Sequence, residues 1–199
     1  MTDSEQVDET ASGAPLGKRE RLVAAARELF YRQGVARTAL ADIAQAAEVP
    51  VGNVYYYFKT KDDIIAAVVQ THAHQLDSTL AELERRHRSP KARLKALVDV
   101  LTGPADTTAR YGCPYGTLCS ELSKRPERSD ALGAPLMQIQ LDWTEHQFRS
   151  IGRRDAHDLA VELIASYEGS ALLTSTLGQP ELMARLARRL HRWIDTLHS

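Results

Sequence analysis

In this chain glycine and proline fall where helical periodicity stops and restarts, a punctuation that constrains the fold more than any composition figure. Between the breaks, apolar residues recur at spacings of three and four, and no segment alternates with the period of two that a half-buried strand needs. The expected class is all-α. Lys18 to Gln33 places Leu22, Ala26, Leu29 and Phe30 on one face and stops at Gly34. A short helix over about Leu40 to Ala46 follows, and a third begins at Pro50, a residue suited to the first helical position, and reaches about Tyr57. Thr60 with Asp63 has capping-box spacing and opens a long helix to about Arg88. Further helices are expected from Pro90 to Leu101, briefly after Pro104, from Pro114 to Lys124, from about Asp130 to Ser150, from Asp155 to Leu177 and from Pro180 to Leu197.

The 199 residues carry 25 Lys plus Arg against 26 Asp plus Glu, so net charge alone says nothing about nucleic acid. Its distribution does. Residues 1–17 bring Asp3, Glu5, Asp8 and Glu9 with no base, lack the apolar stretch of a signal peptide, and read as a disordered acidic tail. Residues 18–61 hold eight bases against four acids. With no apolar run of about 18 residues, a cytoplasmic chain with no membrane partner is expected. Cys113 and Cys119 are too few for a disulfide scaffold and have no histidine pair beside them; His72 and His74, two apart on a helix, face different ways. No metal and no cofactor is expected.

Two short helices joined by a tight turn inside the basic stretch fit a helix-turn-helix whose second helix enters the DNA major groove. Residues 51–61 put three tyrosines, an asparagine and two lysines within eleven positions. Val54 and Phe58, four apart, face a core and leave Asn53, Tyr56 and Tyr57 to project elsewhere. Three consecutive tyrosines cannot all point inward on a helix. Phenolic hydroxyls and lysines suit phosphate oxygens, Asn53 suits an adenine edge, and Gly52 permits close backbone approach.

Thr38, Asp42, Ile43, Ala44, Ala47, Glu48 and Val49, then the tyrosine-rich helix, Lys59, Lys61 and Ile64, make residues 18 to 66 similar to the TetR family of transcriptional repressors. The resemblance implies a helix-turn-helix domain over 18–63 and an effector-binding and dimerisation domain over 64–199. It implies that Thr38 caps the first helix and touches phosphate, and that Lys61 opens the fourth helix and touches phosphate. Val51, Gly52, Asn53, Tyr56 and Tyr57 fall on the operator-contacting helix, Tyr55 on the family's near-universal tyrosine, and Lys59 beside them. Glu48 departs from the family's turn glycine, so a backbone less dependent on glycine is expected there. The implied partners are double-stranded operator DNA, a second copy of the chain and a small-molecule effector.

Beyond residue 66 the resemblance thins. Gly112-Cys113-Pro114-Tyr115-Gly116-Thr117-Leu118 is similar to a segment of the subgroup that includes LmrA and YxaF. Cys113 at a helix start, where the dipole favours a thiolate, suggests a thiol sensor; the alternative is that Cys113 and Cys119 are small buried hydrophobes. An apolar effector is expected among His72, Tyr111, Cys113, Tyr115, Cys119, Met137, Trp143, Phe148 and Tyr167, most of which could equally be core. Periodicity leaves the last two helices as either central core or a two-fold bundle. The resemblance favours the bundle, which assigns Leu163, Tyr167, Ser170, Leu173, Leu177, Leu186, Leu190, Trp193 and Ile194 to the dimer interface. A cysteine-dependent enzyme and a helical adaptor are the competing classes, and the chain has no nucleophile elbow, Walker loop or dinucleotide fingerprint.

Overall fold

The structure, a computed structural model, describes residues 16–125 and 132–197. Among these it holds ten helices and no strand: α1 (Lys18–Gln33), α2 (Leu40–Ala46), α3 (Val51–Tyr57), α4 (Lys61–Arg86), α5 (Pro90–Thr102), α6 (Ala105–Tyr111), α7 (Pro114–Ser123), α8 (Ala134–Ile151), α9 (Ala156–Leu177) and α10 (Glu181–Thr196). The all-α expectation holds, and so do most helix boundaries. Pro50 caps α3 from just outside it. The expected tail through residue 15 and the expected helix start at Asp130 lie outside the described residues.

Caps explain the boundaries. At the start of α4 the Thr60 hydroxyl accepts from the Asp63 amide at 3.1 Å, while Asp63 Oδ2 accepts from the amides of Thr60 and Lys59, each at 2.9 Å. Two donors that the helix start would leave open, and the Lys59 amide just before it, are thus satisfied. Gly152 and Gly178 end α8 and α9 in the left-handed conformation that glycine adopts without penalty.

Buried side chains form two cores. One joins Leu22, Phe30, Ile43, Val54 and Phe58 of α1–α3 to Ile64, Ile65 and Val68 of α4, with Leu118 of α7 and Leu136 of α8 closing its far side. The other gathers Leu94, Leu97, Phe148, Leu163, Met183 and Ile194 around the distal part of α4, at Leu80 and Leu83. Helix α4 therefore belongs to both. No helix among the described residues is long and apolar enough to cross a membrane.

Removing the cap at the α4 start should cost about 1 kcal/mol. For a chain of this size, Thr60→Ala is expected to lower the thermal midpoint by about 2–4 °C, read by circular dichroism, with helical content retained.

Candidate nucleic-acid interface

Helix α3 is fixed from beneath. Val54 is fully buried and Phe58 nearly so, with the Arg19 guanidinium 5.3 Å from the Phe58 ring centroid. The opposite side is open: Tyr56 is 78% exposed, Tyr55 51% and Val51 48%, and a Cβ added at Gly52 would meet nothing within 4 Å. Tyr57, half-buried, packs edge-on against Tyr56 with ring centroids 5.0 Å apart, and Asn53 is also half-buried. Lys59 Nζ donates to the Tyr55 carbonyl at 2.8 Å, satisfying the end of the helix while its charge stays at the surface. The surface presented is two phenols, a lysine and a glycine-opened backbone.

The expectation at Glu48 is corrected here, and Thr38 and Lys61 are found engaged within the protein. Glu48 adopts φ +53°, the left-handed conformation a glycine takes without penalty, so the turn does depend on that geometry. Thr38 is only 1% exposed; its hydroxyl donates to the Gly34 carbonyl at 2.8 Å and accepts from Gln33 at 3.3 Å. Its side chain closes the α1–α2 turn, and α2 is capped by the Asp42 carboxylate, which accepts from the Ala39 amide at 2.8 Å. Lys61 Nζ donates to the Val35 carbonyl at 2.5 Å. That bond makes it a clasp on the same turn, and burial, then the nearby Arg125 charge, lower its ammonium from the usual lysine value.

The head is tied to the rest of the molecule by polar contacts that sequence reasoning missed. Glu121 of α7 accepts from the Val35 amide at 2.8 Å and the Ala36 amide at 3.4 Å. Tyr31 of α1 donates to the Gly112 carbonyl at 2.8 Å, and Arg125 pairs with Asp62 across 2.6 Å. Arg27 donates to Gln75 at 3.1 Å. Even this last pair is 48 positions apart along the chain, and the others are further, so no local pattern announces them.

The residues expected to wall one effector pocket fall in several places. His72 and Tyr115 meet edge-on between α4 and α7, centroids 5.1 Å apart. Burial, then Arg27, push the His72 imidazole down to about 4, so it is neutral at physiological pH. Tyr111 leans on Tyr31, whereas Cys113 lies against Tyr167 and Glu168 of α9. Trp143 donates to Glu84 at 2.8 Å in an outer groove of α4 and α8. Phe148, fully buried, packs on Trp193 in the second core, and Met137 is half-buried on α8. Phe148 and Trp143 thus do not share a cavity with Cys113. A separate cleft of about 390 Å³ opens between α7 and α9, with Cys113, Glu121, Glu168 and Leu172 among its walls.

Cys113 also departs from the thiolate expected at a helix start. It is 3% exposed, its thiol donates to Glu168 Oε1 at 3.2 Å, and burial together with that carboxylate push it up to about 12. Cys119 donates to the Gly133 carbonyl at 3.2 Å and is pushed up to about 11, chiefly by burial. Of the residues expected at a dimer interface, Leu163, Tyr167, Leu190 and Ile194 are enclosed in the protomer's own core, and Leu186 is 8% exposed. Ser170 and Trp193 are half-buried, while Leu173 and Leu177 stand exposed beside Leu172 and Val161.

Two measurements follow from this geometry. The left-handed backbone at Glu48 costs about 1–2 kcal/mol, against about 0.5–1 kcal/mol for the extra chain entropy of glycine. Glu48→Gly should therefore raise stability by about 0.5–1 kcal/mol in urea melts. At pH 8, Cys113 in the folded protein should react with a thiol-disulfide reagent about a thousandfold more slowly than in the unfolded chain, because its thiolate fraction is that much smaller.

Comparison with known proteins accounts for this architecture. The model of the bacterial regulatory proteins, tetR family, matches residues 22–68, which span α1 through the first turns of α4. The HTH-type transcriptional regulator TtgR of Pseudomonas putida is 39% identical over 188 residues, covering 89% of this chain and 88% of that protein. The HTH-type transcriptional repressor DhaR of a Mycobacterium species is 31% identical over 169 residues, 77% of this chain and 80% of the relative. A TetR transcriptional regulator from Legionella pneumophila superposes with a TM-score of 0.80 at 20% identity, over 93% of this chain and 99% of that one. The chain belongs to the tetR family of bacterial regulatory proteins and is a DNA-binding transcriptional regulator.

Proposed function

We propose that the protein is a homodimeric repressor that places the two copies of α3 in successive major grooves of an inverted-repeat operator, roughly 34–36 Å apart, and releases it on binding a small effector. The observation that carries this reading is the presentation of Tyr55 and Tyr56 to solvent on a helix locked from below by Val54 and Phe58. Exposed aromatic rings of this size on a rigid, short helix are costly to leave in water, and a phenol can donate to phosphate while its ring packs on sugar and base edges. Asn53 and the open backbone at Gly52 add base readout, Val51 offers an apolar contact, and Tyr57 buttresses Tyr56. Lys59 supplies the phosphate charge. The repressor relative supports the sign of regulation.

The working division puts residues 18–63 in the reading head and 64–199 in effector binding and dimerisation. Glycine, cysteine and proline at 112–114 support kinship with the subgroup that includes LmrA and YxaF. The dimer face in this reading is Leu173 and Leu177, exposed on α9, with half-buried Ser170 and the adjoining side of α10 that carries Leu182, Arg185, Arg189 and Arg192, an apolar row rimmed by arginines.

Selection from a random duplex library should enrich an inverted repeat, with binding that falls steeply with salt; enrichment of no motif would sink the reading. On the selected site, Tyr56→Ala is expected to weaken binding about five- to tenfold, the worth of one or so hydrogen bonds. Lys59→Ala should flatten the logarithmic salt slope by about one. Leu173→Glu should elute as a monomer in size-exclusion chromatography and lose most operator affinity, since one half-site then binds alone.

A further inference from the structure

The cleft between α7 and α9 has a charge pattern that packing alone does not call for. Its volume, about 390 Å³, is in the range of small-ligand sites. Two carboxylates, Glu121 from α7 and Glu168 from α9, are its charged walls, and no lysine or arginine lines it among the described residues. Ala171 and Leu172 give it an apolar floor. Glu168 is half-buried, takes a weak hydrogen bond from the Cys113 thiol, and lies so close to Gly116 that a Cβ there would fall 2.1 Å from its Oε2. Burial holds its carboxyl above the usual carboxylate range, the state of an acid without a counter-charge.

Glu121 has a second engagement. The carboxylate that walls the cleft also accepts from the amides of Val35 and Ala36, in the turn that leads into α2. Lys61 holds the carbonyl of the same Val35 from the head side. The group a cleft ligand would meet is therefore the group that positions the reading head.

We propose that the α7–α9 cleft binds an organic cation, with Glu168 as its counter-charge, and that Glu121 carries occupancy of the cleft to the head by exchanging the Val35 and Ala36 amides for the ligand. This deepens the regulator reading and rests on it for its functional meaning. A monocation in the cleft attracts both carboxylates at once. When Glu121 turns toward it, the α1–α2 turn gives up its two amide bonds to α7 and keeps the Lys61 clasp, so the grip of α7 on the head loosens at that turn while Leu118, Tyr31 and Arg125 still hold the rest. By linkage, operator DNA and the cation must weaken each other's binding by the same factor.

The test uses tetraphenylphosphonium and tetraphenylborate, matched in shape and opposite in charge, with benzyltriethylammonium as a smaller cation. Binding to the full chain without DNA is followed by calorimetry. At least tenfold preference for the cations over the anion is expected, lost in Glu168→Gln, whose fold is checked by circular dichroism. Saturating cation should then raise the operator Kd at least tenfold, and Glu121→Gln should shrink that response. Equal affinity for the two tetraphenyl ions, or a preference that survives in Glu168→Gln, overturns the cation site. Selective cation binding with an unchanged operator Kd overturns the coupling through Glu121. A protein that binds cations but enriches no operator would overturn the regulator reading and leave the cleft assignment standing.

Discussion

Helix α4 is one rod that lies in two cores, and the rest of the molecule is arranged around that fact. Its 26 residues run about 39 Å at 1.5 Å per residue. Near its start, Ile64, Ile65 and Val68 complete the core beneath the recognition helix; further along, Leu80 and Leu83 sit in the second core. A close-packed interior does not deform continuously, so a shift of the distal end has to appear at the capped end, where Thr60 and Asp63 fix the exit from α3. The head is gripped twice more at one residue: Lys61 holds the Val35 carbonyl and Glu121 its amide, one from α4 and the other from α7.

The groups at this junction are costly where they sit, and magnitudes decide how they behave. A helix N-terminus stabilises a nearby anion by about 0.3–1 kcal/mol, whereas taking an unpaired charge out of water costs several. Cys113 is subject to both, and burial wins: the thiol stays protonated and donates to Glu168. The same arithmetic keeps the His72 imidazole neutral beside Tyr115. Glu48 carries a different cost, in backbone strain, at the turn that aims α3. Backbone strain thus sits where the head meets its support, while desolvated polar atoms lie both there and deeper on α8 and α9, at Gln140, Thr144 and Thr174.

How legible each part was in the sequence follows from the range of the interaction that decides it. Helix boundaries are set within a turn or so by caps, prolines and glycines, and Thr60 with Asp63 or Gly34 after α1 could be read directly. The presentation of α3 was legible only in part: the Val54 and Phe58 spacing leaves Tyr56 outside, whereas Asn53 and Tyr57, expected to project with it, are half-buried and Tyr55 stands exposed instead. The pocket was not local. Trp143, Phe148 and Tyr115 are alike in composition, and only the packing of α8 against α4, α9 and α10 separates them. Thr38 and Lys61 were expected at phosphate; in the structure their polar atoms are engaged by Gly34 and Val35, which no pattern of residue types states. One signal was there to be used: Glu168 stands between Tyr167 and Gly169 with no other charged residue from Leu163 to Pro180, and an acid in such a place has to answer to something.

Helix α9 shows why a helix that is apolar all round resists assignment. Leu163, Tyr167, Ala171 and Thr174 form one stripe, all buried in the protomer. Glu168, Leu172 and Ser175, spaced by four and three, form a second that walls the cleft. Ser170, Leu173 and Leu177, spaced by three and four, form a third that faces out beside α10. The choice between core helix and partner-facing helix was therefore a false one, because at 3.6 residues per turn a single helix has room for each. The consequence is mechanical. The stripe proposed to meet a second copy and the stripe that carries Glu168 are fixed to the same backbone, so whatever moves Glu168 acts on the axis about which two heads would be spaced. In the proposed dimer, the separation of two α3 helices on DNA is a property of α9 as much as of α4.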